Sequence, residues 1–494
     1  MPKSGSRPTI APDLSSALSL VRQLQPALAR GNRAAQVDIL GQLVAMRAEM
    51  GGQWQQLATI AAHNGEHRLA RRAIDLFVEA SGNTAEAQYQ KATLLFELND
   101  LAEAEALLRS LPETVPDPVG NAYSRGIAAL NLGKSDEARR YLEHVTQQRP
   151  DAGSAWLALS MTVNLAAETA LADRIFAAER AFADAIPAAR APYYYALGKA
   201  HAERGEPALA FAAFARGAAD MKTLARYDRR SDAAQAEEAV RGFSAATIAD
   251  IGASQQQPTS RTIFVTGLPR SGTTLVEQIL TSHSAVSDGA ETNLLLLLAR
   301  DVGGTSHRAL ARYTEAQGVA PAADLWAHLM QERFPAPGHI VDKTINASRY
   351  LGLAASLLPE APLIWVTRDP LDRAWSCFRT NFMGGAMPWS YDLRDIAAHF
   401  RLEDQLLAQW QGLLGERLLV LSYEALVTQP GEWIGRILAH CGLPPEPQVF
   451  APHENQRPVV TASMMQVRRP INRDAVGSAE PYRAFLEPFR EAFA

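Results

Sequence analysis

The sequence predicts an all-α array of helical repeats followed by an α/β domain with a mostly parallel sheet. The first half is rich in alanine and leucine, with short Gly, Asn and Pro interruptions at a constant step. The second half alternates apolar strand candidates with helical segments, and a glycine loop follows the first strand. A chain of 494 residues is also too long for one ordinary core. We therefore predict N-terminal helices that cap the array at 1–50, the repeats at 51–225, a helical connector and linker at 226–260, and the α/β domain at 261–494.

The composition excludes several classes of protein. Hydrophobic residues make up 47% and charged residues 20%, as in a globular protein, and a net charge of −5 gives no reason to expect nucleic-acid binding. Cys377 and Cys441 are the only cysteines, so no disulfide framework is expected and a reducing compartment is compatible. The polar N-terminus and the lack of a long apolar run predict a cytoplasmic protein with no membrane span.

The first half contains units that start at 51, 85, 119 and 153, with a further unit at 191. Small residues recur where the two helices of a unit would cross, since bulky side chains there would separate the helices. They are Ala58, Ala92, Gly126 and Ser160 at one crossing, and Ala70, Ala104, Ala138 and Ala172 at the other. Gly65, Asn99 and Gly133 lie at the turns of the first three units, and Ala167 replaces the turn residue in the fourth. The pattern resembles the tetratricopeptide repeat.

Two uses of such an array are open. Stacked repeats present a concave surface that could recruit an acceptor or a partner protein, or the array could be purely structural or dimerising. Tyr193, Tyr194 and Tyr195 could line that surface, although tyrosines in a helix more often pack in a core. A charged helical stretch follows the last repeat, and the polar segment 253–260 is interpreted as the linker into the second domain.

A glycine loop after the first strand of the second half is predicted to bind phosphate. The strand candidate is 262–266, and Gly267 and Gly272 bracket the loop that leads into a helix. Helix N-termini carry unpaired N–H groups and a partial positive charge, which attract phosphate. The loop resembles the nucleotide-binding P-loop, but Thr273 stands where that motif has a lysine, which argues against ATP or GTP hydrolysis. The cation of the loop is Arg270, and its hydroxyl donors are Ser271, Thr273 and Thr274.

Three further strand candidates lie at 339–342, 362–367 and 417–421. Strand–helix alternation predicts a mostly parallel sheet, and ligands of such sheets bind beyond the carboxyl ends of the strands. The residues that follow these candidates are polar in each case: Lys343, Arg368, and Ser422 with Tyr423.

Arg368 and Ser376 form a second candidate phosphate site. Asp369 suits an N-cap and Pro370 suits the first helical position, so Arg368 lies at a strand end directly before a helix. Ser376 lies about two turns into that helix. An arginine and a serine presented in this way can bind one phosphate together, although the pair alone is more typical of a surface salt bridge beside an ordinary helical serine.

Taken together, the two phosphate motifs resemble the sulfotransferase family over roughly 260–480. That family uses 3′-phosphoadenosine 5′-phosphosulfate (PAPS) as donor, and its two separate phosphate groups match the two motifs. The resemblance implies that the 5′-phosphosulfate is bound by Arg270, Ser271, Gly272, Thr273 and Thr274, the 3′-phosphate by Arg368 and Ser376, and that Tyr423 lies near the adenine. The combination with repeats resembles a bacterial group of such proteins.

Within that family the chain is most similar to the protein-tyrosine sulfotransferases. The segment 289–292 resembles their Gly-x-Glu-Thr pattern, which contains Glu291. The segment 461–468 resembles the C-terminal part of their site, so Ser463 and Arg468 or Arg469 would approach the donor phosphates. Relatives tend to have Gly-x-Trp after this segment, whereas this chain has Gly-Ser-Ala at 477–479, which puts a C-terminal lid in doubt.

Glu291, Lys343 and Arg270 are the candidate catalytic residues. Sulfuryl transfer needs a base for the acceptor proton and positive charge at the leaving phosphate. We prefer Glu291 to His283 as the base, because His283 is expected to cap the first helix of the domain. The resemblance implies that Lys343 lies beside the bridging oxygen of the donor. The plainer alternatives are a carboxylate that serves a helix dipole and an exposed strand-end lysine, and no metal is expected because the histidines lack ligand spacing.

The leading hypothesis is a PAPS-dependent sulfotransferase whose repeats recruit a protein, peptide or glycan acceptor or another protein partner. A kinase or P-loop NTPase is a second hypothesis, and a repeat scaffold with a degenerate nucleotide domain is a third. The acceptor hydroxyl could belong to a protein tyrosine, a sugar or a small molecule.

Overall fold

The computed structural model describes residues 14–256, 258–289, 291–344, 346–382, 385–455, 457 and 467–494. The described part of the first half is helical, and a parallel sheet organises the second half. The predicted fold class is therefore confirmed. None of the helices in the described part of the chain has the length and apolarity needed to cross a membrane.

Consecutive helix pairs build the first half. They are α1 (Leu14–Ala29), α2 (Arg33–Met46), α3 (Gln53–His63), α4 (His67–Ala80), α5 (Ala85–Glu97), α6 (Leu101–Ser110), α7 (Pro118–Asn131), α8 (Ser135–Gln148), α9 (Gly153–Ser160), α10 (Thr169–Ala177), α11 (Pro187–Glu203) and α12 (Pro207–Leu224). The pairs from α3/α4 to α11/α12 coincide with the units predicted from 51, 85, 119, 153 and 191.

Small residues lie at the helix crossings for the predicted steric reason. A Cβ atom added to Gly126 would lie 2.9 Å from Leu142 Cγ, and one added to Gly198 would lie 2.7 Å from the ring of Phe214. Gly133 has a φ of 75° at its turn, in the left-handed region that favours glycine. The three consecutive tyrosines of α11 are buried, so the packing interpretation of them is confirmed.

Two capped helices form the connector, α13 (Arg229–Val240) and α14 (Ala245–Ala253). The side chain of Asp228 accepts hydrogen bonds from the N–H groups of Arg230 and Ser231, and Ser244 forms a capping box with Thr247. These side chains satisfy N–H groups that the first turn leaves without an intrahelical partner.

The sheet has five parallel strands in the order β2-β3-β1-β4-β5. The strands are β1 (Thr262–Thr266), β2 (Val286–Asp288), β3 (His339–Asp342), β4 (Leu363–Thr367) and β5 (Leu418–Ser422). The sequence predicts four of these strands within a residue at each end. It misses β2, because three residues at a sheet edge are too few for a recognisable apolar pattern.

Helices follow the strands, as in an α/β domain. They are α15 (Thr273–Thr281), α16 (Leu294–Val302), α17 (His307–Gln317), α18 (Ala320–Arg333), α19 (Leu351–Leu357), α20 (Pro370–Phe378), α21 (Leu393–Leu414), α22 (Tyr423–Thr428), α23 (Pro430–His440) and α24 (Glu487–Phe493). The core around the sheet contains Ile263, Val265, Val341, Ile364 and Val366, all buried. Since β1 is central in the sheet, the loop that follows it lies between the carboxyl ends of β3 and β4.

The described chain divides into two compact units. One contains the residues up to 118 together with 328–335, and the other contains 119–327 together with 336–494. In the second unit, residues of α11 and α12 share one hydrophobic core with α20, α21 and the C-terminal segment. The last helix pair of the repeats is therefore packed directly against the α/β domain.

Candidate active site

The loop between β1 and α15 requires bare backbone at both of its glycines. Gly267 has a φ of 140°, and an added Cβ atom would lie 2.4 Å from the backbone oxygen of Val366 on the neighbouring strand β4. Gly272 has a φ of 102°, and an added Cβ atom would lie 2.5 Å from Tyr423 Cδ2. These two approaches hold the loop against the carboxyl ends of β4 and β5.

The hydroxyl groups of the loop differ in what they do. Ser271 is fully buried, and its Oγ atom donates a 2.6 Å hydrogen bond to the backbone oxygen of Leu268, which tightens the turn. Thr273 and Thr274 occupy the first turn of α15, directly after the N-cap Gly272. The N–H groups of that turn and the threonine hydroxyls make a helix N-terminus of the kind that binds anions.

Arg270 joins the two predicted phosphate motifs. Its Nε atom donates a 2.9 Å hydrogen bond to Ser376 Oγ on α20, although the two residues lie 106 positions apart. Arg270 has a φ of 67°, an unusual conformation for a residue with a side chain. Burial, reinforced by the charges of Arg379 and Arg368, lowers the pKa of Arg270 to about 10. An anion at this position would relieve that repulsion.

Arg368 is oriented by backbone carbonyl groups, and among the described residues one of its donors has no partner. Its Nη1 atom donates to the backbone oxygen of Arg270 at 2.9 Å, and its Nη2 atom donates to the backbone oxygen of Ala475. The guanidinium lies 5.0 Å from the ring centre of Tyr423. Its buried Nε atom has no hydrogen-bond partner within the described residues. A buried donor in this state is costly unless a ligand satisfies it.

Glu291 and Lys343 form an ion pair at the ends of two neighbouring strands. Lys343 follows β3, Glu291 follows β2, and Lys343 Nζ lies 2.7 Å from Glu291 Oε1. Lys343 is buried, and Glu291 keeps about a third of its side chain exposed, at 34%. Asp342 supports this corner because its carboxylate accepts from Thr292 Oγ1 at 2.7 Å and from the N–H group of Thr344 at 2.8 Å. The arrangement combines an accessible carboxylate with a buried cation.

Arg379 is a further cation of the site that the sequence analysis missed. It follows the last residue of α20, and its charge lowers the pKa of Arg270. Burial and the charge of Arg368 in turn lower the pKa of Arg379, while Tyr482 and Glu203 oppose them. Three arginines therefore lie close enough to repel one another. Arg379 lies one turn beyond Ser376, at the end of the helix that is predicted to present the second phosphate site. This spacing is the sequence signal that could have identified Arg379.

The C-terminal segment closes over the N-terminus of α20. The buried carboxylate of Asp372 accepts hydrogen bonds from the N–H groups of Gly477 at 2.7 Å and Ala479 at 2.8 Å. The backbone oxygen of Ala475 accepts from Arg368. The segment 475–479, which lacks the Gly-x-Trp pattern, is therefore held against α20 and Arg368 by hydrogen bonds of its backbone.

Other candidates lie elsewhere. Arg468 contacts Gly133 at a repeat turn, where an added Cβ atom would lie 2.7 Å from its Nη2 atom, and it also donates to the backbone oxygen of Arg457. These contacts place Arg468 at the repeat turn, and Ser463 lies outside the described residues. His283 Nε2 lies 2.9 Å from the backbone oxygen of Pro444 and its ring is buried.

One group of potential metal ligands occurs in the described part of the first unit. Donor atoms of Glu66, His328 and Glu332 lie within 4.8 Å of one another. Glu66 is ion-paired with Arg33 at 2.5 Å, and the backbone N–H group of Arg68 donates to Glu332 at 2.9 Å. Because these cationic and N–H groups already occupy the carboxylates, the arrangement is that of an ion-pair network.

Comparisons with known proteins match both halves of the chain. Residues 262–447 match the sequence model of the sulfotransferase family, and residues 86–118 match that of the tetratricopeptide repeat. An uncharacterised protein of Aquifex aeolicus is 28% identical over 428 residues, which cover 84% of this chain and 55% of that protein. Protein-tyrosine sulfotransferase 1 of Danio rerio is 28% identical over 232 residues, which cover 43% of this chain and 64% of that protein. The match thus spans less than two thirds of either relative.

Among solved structures, a sulfotransferase domain from the curacin biosynthetic pathway is similar to 46% of this chain and 99% of its own length, with 16% identity and a TM-score of 0.30. The sequence matches fall on the two regions that the fold separates into helical repeats and a parallel sheet. The chain therefore combines a helical region that matches the tetratricopeptide repeat with a parallel-sheet domain that matches the sulfotransferase family over residues 262–447.

Proposed function

We propose that this protein transfers a sulfuryl group from PAPS to an acceptor hydroxyl. The observation that carries the proposal is the hydrogen bond from Arg270 to Ser376, which joins the two phosphate motifs into one cationic site. A nucleoside triphosphate has its phosphates in one chain, whereas PAPS carries phosphate on two different positions of its ribose. A site with two adjacent phosphate motifs fits the second arrangement.

The residues fit such a donor on physical grounds. In this proposal the 5′-phosphosulfate is held by Arg270, Gly272, Thr273 and Thr274, and Ser271 shapes the loop around it through its hydrogen bond to Leu268. Arg368 and Ser376 hold the 3′-phosphate, and Tyr423 lies near the adenine. Support comes from the glycine backbone that tolerates close approach, from the partnerless Nε atom of Arg368, and from the mutual repulsion of the arginines.

Glu291 and Lys343 have complementary roles in the proposed step. The acceptor oxygen attacks sulfur, the bond between sulfur and the bridging phosphate oxygen breaks, and the acceptor proton passes to the carboxylate of Glu291. Lys343 and Arg270 stabilise the negative charge that develops on the leaving phosphate. The 2.7 Å ion pair places a proton acceptor and a cation side by side, and the exposure of Glu291 leaves it open to an acceptor.

A protein tyrosine is the acceptor we favour. A relative that is 28% identical bears the name protein-tyrosine sulfotransferase 1, and the region that matches the sulfotransferase family contains Glu291. The tetratricopeptide repeats are proposed to recruit the acceptor protein or another protein partner. Sugar and small-molecule hydroxyls are the competing acceptors, and a panel of peptide, glycan and phenol acceptors with labelled donor distinguishes them.

Calorimetric binding of 3′-phosphoadenosine 5′-phosphate, the product of the donor, tests the proposal. We expect binding by the wild type, its loss in Arg368→Ala/Ser376→Ala, and no binding of ATP. Arg436→Ala, which removes an exposed arginine on α23, is the control and should bind normally. Preference for ATP would assign the domain to the kinases or NTPases, and binding of neither nucleotide would indicate a scaffold.

A further inference from the structure

Helix α20 carries Ser376 together with two large buried side chains. Trp375 is fully buried directly before Ser376, and Phe378 is buried two positions after it. Because the three side chains share one short helix, the position of Ser376 Oγ depends on how Trp375 and Phe378 are packed. The same helix begins directly after Arg368 and the N-cap residue Asp369. The position of the helix therefore also affects the position of Arg368.

The partners of these two rings come from the last repeat helix, α12. Phe211 stacks on Phe378 with ring centres 5.4 Å apart and on Trp375 at 6.3 Å, both at 22° between ring planes. Phe214 meets Trp375 edge-on at 5.6 Å. Offset-stacked and edge-on pairs of this kind contribute beyond the area they bury. One face of α20 therefore rests on the repeats.

The C-terminal segment contacts both Trp375 and Phe211. Tyr482 stacks on Trp375 with ring centres 3.7 Å apart, and Phe485 stacks on Phe211 at 4.9 Å. Phe211 thus contacts both α20 and the C-terminal segment, which itself accepts a hydrogen bond from Arg368. A ring at this position couples three segments that lie far apart in the sequence.

We propose that Phe211 of the last repeat is a positioning residue for the 3′-phosphate site, acting through Trp375 and Phe378 on Ser376 and Arg368. The inference rests on the proposed function. It assigns the last repeat a part in donor binding, in addition to any recruitment of an acceptor. In this proposal the last repeat supports the nucleotide site by packing against α20, so it is not a separable module.

The test compares two nucleotides that differ only in the 3′-phosphate. Binding of 3′-phosphoadenosine 5′-phosphate and of adenosine 5′-phosphate is measured by calorimetry for wild type and Phe211→Ala. We expect the variant to lose about tenfold in affinity for the bisphosphate, since small displacements of binding groups are costly, and to keep its affinity for the monophosphate. General destabilisation would weaken both nucleotides alike, so the ratio of the two affinities is the readout.

Phe176→Ala is the matched control. Phe176 is a partly buried repeat phenylalanine whose ring packs against that of His201, with ring centres 4.6 Å apart. Among the described residues, its hydrophobic cluster contains no residue of α20. Its affinity ratio should equal that of the wild type. If Phe211→Ala does not fold, Phe211→Leu keeps most of the apolar volume without the ring and is measured in its place.

The outcomes separate the two proposals. An unchanged ratio in a folded Phe211 variant, with normal bisphosphate binding by the wild type, overturns the positioning role alone. Failure of the wild type to prefer the bisphosphate over the monophosphate overturns the proposed donor, and the positioning role falls with it. An equal fall in the affinity ratio for Phe176→Ala would also overturn the positioning role of Phe211, because the effect would then be general to the repeats.

Discussion

At the residue scale, the important feature of the candidate site is the ion pair between Glu291 and Lys343. They lie after different strands, and only a 2.7 Å contact makes them a pair. The carboxylate offers a proton acceptor directly beside the buried cation of the lysine. In the proposed reaction, the pair is therefore the feature on which the chemistry depends, whereas donor binding depends on the arginines.

We predict that Glu291→Gln abolishes transfer while nucleotide binding persists. The amide cannot accept the acceptor proton, so turnover should fall by about 100-fold or more. Labelled-sulfate transfer and calorimetry with 3′-phosphoadenosine 5′-phosphate measure the two properties separately. Glu315→Gln, an exposed change on α17, is the control. Turnover close to that of the wild type in Glu291→Gln would exclude this residue as the base.

The backbone conformation of Gly272 allows a prediction about the stability of the protein. We expect Gly272→Ala to lower the free energy of unfolding by about 1–3 kcal/mol, because its φ of 102° is strained for any side chain and the new Cβ atom meets Tyr423. Gly435→Ala should instead raise it by about 0.5–1 kcal/mol, since this exposed glycine inside α23 has open space around it. Urea unfolding of both variants checks the opposite signs, and a stabilised Gly272→Ala would contradict the assigned loop conformation.

At the level of secondary structure, short elements position the arginines of the candidate site. Asp369 caps α20 by accepting from the N–H groups of Leu371 and Asp372, and Pro370 occupies the first helical position. The same short helix then fixes Ser376 and, through Asp372, the C-terminal segment. An element of nine residues therefore connects the strand end, the phosphate site and the chain terminus.

We predict that Asp372→Asn loosens the C-terminal segment. The charged carboxylate accepts two backbone N–H groups, and a neutral amide would satisfy them less well, at a cost of about 1–3 kcal/mol. Amide hydrogen exchange of residues 475–482 should quicken by about tenfold. Asp474→Asn, whose ion pair with Arg469 is exposed, should leave exchange unchanged. Equal protection in Asp372→Asn would show that the aromatic contacts alone hold the segment.

At the level of the second compact unit, a buried charge network links the connector helix α13 to the α/β domain. Asp232 on α13 lies 2.7 Å from Arg349 Nη2 and 2.6 Å from His399 Nδ1 on α21, and it accepts from the hydroxyl of Tyr227. Arg349 also pairs with the buried Glu403. The connector is thus held by ionic contacts as well as by packing.

This network predicts a pH dependence. Burial alone would raise the pKa of Asp232, but the hydrogen bond and charge of His399, with Arg349, outweigh it and lower the pKa to about 2. A carboxyl group whose pKa is depressed by folding stabilises the fold above its ordinary pKa of about 3.9, and this stabilisation is lost as the pH falls towards 2.

We therefore expect wild type to melt at a higher temperature than Asp232→Asn near pH 7, with the difference shrinking as the pH falls from about 4 to about 2. Asp173→Asn, which alters an exposed pair with Arg204, should show no such convergence. A difference between wild type and Asp232→Asn that stays constant down to pH 2 would contradict the depressed pKa.

The sequence by itself determined the elements and the residues at their ends. Small residues at 34-residue intervals predict the helix pairs, and apolar runs predict four strands, because both patterns are local and follow from helix and strand geometry. The residues after those strands, such as Lys343 and Arg368, were correctly placed at the carboxyl edge of the sheet.

Only the tertiary structure decided which of these residues meet. The Arg270–Ser376 hydrogen bond and the Glu291–Lys343 pair each join segments whose separation leaves no local signal. Arg468 lies at Gly133 for the same reason, since its segment packs against the repeats. Periodicity specifies which face of an element is buried, whereas the partner of that face depends on packing the whole chain.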